Sequence, residues 1–218
     1  MRWNFSEELA RWNPKSLGCR KPPSLQQARL YCAHVARVHY ENFSVVSLLL
    51  PRRLICHFQA VYAYCRWSDD LADETGDGAE ALGLLAAWRE ELLACYRGDP
   101  RHPVMVALRE TIRRFTIPPE PFLNLLVAFS QDQHVKKYTS FDQLLEYCTN
   151  SANPVGHLVL RLFECFDPER AALADEVCTG LQLANFWQDV ARDFAIGRIY
   201  LPDDDRREFG VSEEDLAT

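Results

Sequence analysis

Residues 60–74 read Ala60-Val61-Tyr62-Ala63-Tyr64-Cys65-Arg66-Trp67-Ser68-Asp69-Asp70-Leu71-Ala72-Asp73-Glu74. Tyr62, Arg66, Asp69 and Asp73 stand at helical offsets 0, 4, 7 and 11. At 100° per residue they fall within about 60° of one another, on one face of a helix. Val61, Tyr64, Trp67 and Leu71 surround them with core-like side chains. Two acids and a guanidinium thus interrupt a sequence that otherwise reads as packed helix.

A second stretch repeats the arrangement. Gln182, Asn185, Asp189 and Asp193 stand at offsets 0, 3, 7 and 11, within about 80° of one another. Leu181, Leu183, Phe186 and Trp187 supply the apolar background. A single acidic run is ordinarily a solvated helix end held by salt bridges. Two runs, each with amide or guanidinium partners on its own face, point elsewhere. Facing each other inside a bundle, the four carboxylates would repel and take up protons unless a cation joined them. Magnesium suits such a site, because it prefers a few carboxylates, retained waters and a substrate's phosphate oxygens.

The rest of the chain is read as helices with short breaks, and strand-like alternation is hard to find. Residues 1–23 look irregular. Ser24 caps a helix running to about Phe43, and Pro51 opens the one carrying the first stripe. Further helices are expected at about 79–97, 103–115, 119–135 and 140–148, and from Asn153 to near Asp167. Asp167 caps a long helix reaching about Phe194, followed by a polar loop from Gly197 to Asp205. Ser212 begins a last capping pattern. The expectation is an all-α protein with one domain at 24–218.

Composition excludes several classes. The 218 residues carry a formal charge of −7, unlike a general nucleic-acid binder. Eight cysteines contain no Cys-x-x-Cys pair and mostly fall at apolar helical positions, as reduced core thiols do. The six histidines lack zinc-ligand spacing. The best candidate for a membrane span, Val45 to Leu50, is cut by Pro51-Arg52-Arg53, far short of the length required. No apolar signal core is visible near the N-terminus. The expected location is the cytoplasm.

Both stretches resemble the trans-isoprenyl diphosphate head-to-head synthases, the family of squalene and phytoene synthases. The matching text is Ala60 to Asp73, then Gly180-Leu181-Gln182-Leu183-Ala184-Asn185, continuing through Gln188-Asp189-Val190-Ala191-Arg192-Asp193 to Gly197-Arg198-Ile199-Tyr200-Leu201-Pro202. Glu41-Asn42-Phe43-Ser44-Val45, Ser151-Ala152-Asn153-Pro154-Val155-Gly156 and Asn185-Phe186-Trp187-Gln188-Asp189 look closest to the bacterial hopanoid-pathway branch, the hydroxysqualene synthases. The resemblance implies an isoprenoid synthase helical bundle around a central cavity. It also implies further helices after residue 218 that complete the cavity, so an incomplete domain and a covering partner chain or oligomer are expected.

The resemblance further implies that Asp69, Asp73, Asp189 and Asp193 ligate magnesium against an isoprenoid diphosphate, with Arg66 on the diphosphate. Tyr62, Gln182 and Asn185 match positions lining the site. His39 and Phe43 match the first-helix substrate segment, although Asn42 stands where serine is usual. A helix salt bridge to Asp69 or Asp70 remains the other reading of Arg66, and plain packing that of His39 and Phe43. Gln188 stands where relatives have arginine and Arg192 where an acid is common, which moves the positive charge one turn along the helix. The expected reaction is ionisation of presqualene diphosphate and water capture to give hydroxysqualene. Condensation of two prenyl diphosphates and a non-catalytic scaffold are the alternatives. A greasy substrate also implies loose attachment to the inner-membrane surface.

Overall fold

In the computed structural model, residues 3–38, 50–76 and 78–217 are described. His39, Asn42 and Phe43 lie outside them. The chain divides into two compact units, Met1–Leu126 and Val127–Thr218.

In the first unit, Ser24 starts a helix as expected. Its hydroxyl accepts from the Gln27 N–H at 3.3 Å, and the Gln27 side chain accepts from the Ser24 N–H at 2.9 Å, a reciprocal cap. The unit contains α1 (Phe5–Trp12), a 3₁₀ turn (Pro14–Cys19), α2 (Leu25–Val38), α3 (Arg52–Asp73), α4 (Gly78–Arg97) and α5 (Pro103–Phe115). Helix α6 (Glu120–Gln131) carries the boundary between the units. Helices α2, α3 and α5 pack on one another, with α4 against α3 and α5. Within the segment expected to be irregular, residues 5–12 and 14–19 are therefore helical. Asn4 caps α1 by accepting from the Glu7 N–H, and Phe5 anchors it by packing edge-on against Trp67, ring centroids 5.3 Å apart.

An aromatic core explains why α3 and α4 sit together. Trp67 and Trp88, both fully buried, stack with centroids 5.5 Å apart. Both indole N–H groups are satisfied, Trp67 on the Tyr31 hydroxyl and Trp88 on the Ser68 hydroxyl, as burial of a polar tip requires. His102 completes the cluster, edge-on to Trp67 at 4.4 Å and Trp88 at 4.7 Å. Its Nδ1 accepts from the Val104 N–H at 3.2 Å and so caps α5, which leaves the proton of the neutral ring on Nε2. That N–H is buried without a hydrogen-bond partner among the described residues, against aromatic faces.

Burial holds His102 well below the usual histidine range. Above pH 6.5 neither folded nor unfolded ring is charged. Below it, the unfolded chain takes up a proton that the folded ring refuses, so stability falls. Asp70 works the other way. Burial raises its carboxyl to about 6, so its protonation favours the fold as pH drops through that value. The His102→Asn variant keeps a capping oxygen and separates the two. Between pH 6.5 and 5.5 the unaltered protein is expected to lose about 1 kcal/mol more stability than this variant, measured by urea unfolding at each pH. Parallel pH profiles would refute the assignment.

The second unit holds α7 (Phe141–Ser151), α8 (Asn153–Leu162), α9 (Pro168–Gln188), α10 (Val190–Ala195), α11 (Asp203–Glu208) and a 3₁₀ turn (Glu214–Ala217). Asp167 caps α9, its side chain accepting from the Arg170 N–H at 2.8 Å. Helix α9 packs on α8 and α7. Ser212 and Asp215 form the expected cap of the last turn. The long helix expected to reach Phe194 is interrupted. Asp189 takes φ −100°, ψ 12° and separates α9 from α10. The loop expected after Gly197 is also more ordered, with an isolated parallel bridge between Lys137 and Ile199 and a turn of helix at α11.

No strand is formed among the described residues, and none of their helices is long and apolar enough to cross a membrane. Cys32, Cys56, Cys65, Cys95, Cys148, Cys165 and Cys178 are free thiols.

Candidate active site

Helix α3 sorts its side chains as the spacing requires. Trp67, Ser68, Asp70 and Leu71 are buried; Tyr62, Arg66 and Asp69 are half-buried; Asp73 is exposed at the helix end. The stripe therefore lies on the side of α3 away from the aromatic core. Burial raises the Tyr62 hydroxyl, while the neighbouring Arg66 charge opposes that shift.

Arg66 joins the acids. Its Nη1 lies 3.3 Å from Asp69 Oδ2, and its Nη2 lies 2.5 Å from Asp70 Oδ1. The helix salt bridge left open by the sequence is thus formed. Burial works against the guanidinium charge, but the Asp70 and Asp69 carboxylates outweigh it and raise Arg66 above its ordinary value. Asp70 itself has no exposed side-chain surface. Its second oxygen accepts from the Trp3 indole N–H at 3.1 Å.

The second unit carries the other pair. Asp189 and Asp193 are half-buried, as is Gln182, while Asn185, Gln188 and Arg192 are exposed. The break at Asp189 does not destroy the one-turn spacing. The Asp189 N–H donates to Asn185 O at 3.0 Å and the Asp193 N–H to Asp189 O at 2.8 Å, so helical bonding passes through the bend. Burial and then the Asp189 charge raise the Asp193 carboxyl; Arg198 and Arg192 oppose this. Two like charges one turn apart favour a proton or a cation between them.

The chain after α10 turns back and fixes this pair. The Arg198 N–H donates to Asp193 O at 2.8 Å, and the Ile199 N–H to Lys136 O at 2.8 Å. Tyr200 then stacks on Phe186, with centroids 4.0 Å apart and planes 8° from parallel. Buried beside them, Tyr147 donates to Asp132 at 2.8 Å.

Sequence reasoning named Asp70 only as a salt-bridge partner open to Arg66, and missed its burial, Trp3 and Arg198. The spacing did hold a signal for Asp70, which follows Arg66 by four and Trp67 by three, within pairing reach of one and on the packed side of the other. Trp3 had none, because its contact spans 67 residues. Each one-turn pair offers hard carboxylate oxygens, which suit magnesium better than a soft metal; among the described residues no group of three or more His, Cys, Asp or Glu is gathered to hold a metal ion.

Comparison with known proteins points to one family. The family model described as squalene/phytoene synthase matches residues 36–218. The crystal structure of squalene synthase HpnC from Alicyclobacillus acidocaldarius superimposes with a TM-score of 0.83 at 46% identity, covering 90% of this chain and 74% of that one. A dehydrosqualene synthase solved in complex with ligand gives a TM-score of 0.78 at 31% identity, covering 89% of this chain and 68% of that one. The phytoene synthase of Arthrospira platensis is 29% identical over 215 residues, spanning 93% of this chain and 70% of the relative. The chain belongs to the squalene/phytoene synthase family and has the all-α isoprenoid synthase fold.

Proposed function

We propose that this protein ionises presqualene diphosphate with the help of magnesium and lets water capture the cation, giving hydroxysqualene. The observation that carries the reading is the pair of carboxylates one helical turn apart in each unit, Asp69 with Asp73 and Asp189 with Asp193, of which Asp69, Asp189 and Asp193 are half-buried. The reading requires both pairs to serve one diphosphate, within one domain over residues 24–218. Support for this branch of the family comes from the greater identity to squalene synthase HpnC, 46%, than to the cyanobacterial phytoene synthase, 29%. Gln188 followed by Arg192, in place of arginine followed by an acid, points the same way.

Asp69, Asp73, Asp189 and Asp193 would hold the metal. When bound, magnesium neutralises the developing diphosphate charge. In the reaction the cyclopropylcarbinyl carbon–oxygen bond breaks, and its electron pair leaves on the diphosphate oxygen. Arg66 lies beside Asp69, and a guanidinium there suits phosphate geometry. Tyr62, Gln182 and Asn185 donate hydrogen bonds at the rim. His39, Asn42 and Phe43 complete the substrate segment, where an aromatic face steadies a carbocation. Water then adds to the cation and its proton goes to solvent, so no reductant is consumed. A greasy substrate favours loose attachment to a membrane surface, and an apolar cavity favours a covering partner chain or second copy.

Head-to-head condensation of two prenyl diphosphates is the second reading, supported by phytoene synthase relatives that match over most of this chain. Incubation with presqualene diphosphate, and separately with farnesyl diphosphate, distinguishes the two by mass spectrometry. Hydroxysqualene is expected from presqualene diphosphate, only with magnesium. Product from farnesyl diphosphate alone would transfer the protein to the condensing class.

A further inference from the structure

The family match begins at residue 36, yet a side chain from the preceding segment reaches the first acidic motif. The Trp3 indole N–H donates to one oxygen of Asp70 at 3.1 Å. The other oxygen of Asp70 lies 2.5 Å from Arg66 Nη2, and Arg66 Nη1 lies 3.3 Å from Asp69. Exposure rises along this series. The Asp70 side chain has none, that of Arg66 is 30% exposed and that of Asp69 42%.

The gradient gives the two ion pairs different roles. Asp69 is reached by solvent, so its contact with Arg66 can be exchanged when a cation or anion arrives. Asp70 is not, and its charge has no alternative partner in water. Burying an ion pair is weak support for a fold, since apolar side chains of similar volume often serve as well or better. Here the pair does something apolar groups cannot. It ties a guanidinium to a fixed carboxylate while each Nη nitrogen keeps a second N–H. Trp3 holds that carboxylate in turn, and α1 holds Trp3 through contacts of its own. Phe5 packs against Trp67, and the Tyr31 hydroxyl donates to Glu8 at 2.7 Å.

We propose that Trp3 and Asp70 are positioning residues that station the Arg66 guanidinium beside Asp69, so that the segment leading into α1 contributes to anion binding at the first acidic motif. The proposal rests on the diphosphate reading above for its consequence, although not for the relay itself.

Trp3→Phe removes the indole donor and keeps an aromatic ring, with α1 still held by Phe5 and Glu8. Two measurements on the full chain test the proposal. In the first, phenylglyoxal labelling of individual arginines is followed by peptide mass spectrometry. Loss of one hydrogen bond to a charged group is expected to speed labelling of Arg66 about fivefold, with exposed Arg113 unchanged as the internal control. In the second, inorganic pyrophosphate is titrated in the presence of magnesium. Trp3→Phe is expected to weaken its binding about fivefold in the unaltered background and to have no further effect in Arg66→Ala.

Equal losses in both backgrounds would mean that Trp3 acts only through the fold, and would overturn the proposal. So would unchanged labelling of Arg66. If the unaltered protein binds no pyrophosphate, the diphosphate reading fails, and the labelling result alone decides the relay.

Discussion

Asp73→Asn is expected to lower turnover of presqualene diphosphate by about 10²–10³-fold, the scale seen when one group stabilising developing negative charge is removed. The substitution is nearly isosteric and falls at an exposed position at the end of α3, where changes generally alter stability by less than about 0.5 kcal/mol. Activity and fold are therefore separable. The circular dichroism spectrum and melting temperature should match those of the unaltered protein. Glu74→Gln, also exposed and one residue further on, supplies the matched control and should keep activity within about twofold. Raising magnesium should partly restore Asp73→Asn if the lost group holds metal. Full activity in Asp73→Asn at low magnesium would remove Asp73 from the site.

The largest effect on stability is expected at Trp88. Its ring is fully buried and lies 5.5 Å from Trp67, 6.0 Å from Tyr64 and 4.7 Å from His102. Its N–H donates to the Ser68 hydroxyl at 3.0 Å. Trp88→Ala leaves a cavity among rigid rings that cannot collapse together, and should destabilise by about 3–5 kcal/mol. Trp88→Phe keeps most of the ring volume and isolates the lost donor, for about 1–3 kcal/mol. Denaturant unfolding measures both. Near-equal losses in the two variants would show that the hydrogen bond, rather than ring packing, holds α4 to α3.

Most of the architecture was legible because it is written in local chemistry. Ser24 and Asp167 cap where expected, since a short acceptor before an apolar run satisfies orphan N–H groups wherever the helix later packs. The α3 stripe was legible because one period decides which side chains share a face. What the sequence did not disclose depends on distant partners. Helix α1 has eight residues, too few to persist alone, and is held by Phe5 against a tryptophan 62 positions away. The bend at Asp189 carries no glycine or proline, so nothing local marks it. Tyr200, which lies twelve residues after Gln188 and stacks on Phe186, belongs to the tertiary structure that accompanies the bend. In the candidate site, the one-turn separation of Asp69 from Asp73 and of Asp189 from Asp193 followed from spacing, but the bend at Asp189 and the inward turn of Asp70 toward Trp3 did not.

The stacking of Tyr200 on Phe186 makes a clasp of the chain between them. Both Asp189 and Asp193 lie inside the closed segment, whose ends are already joined before any ion arrives. Capturing a cation there does not require the backbone to give up freedom at that moment, since the loss was incurred when the protein folded. On the magnesium reading proposed above, opening the clasp should therefore loosen the grip on metal without touching either carboxylate.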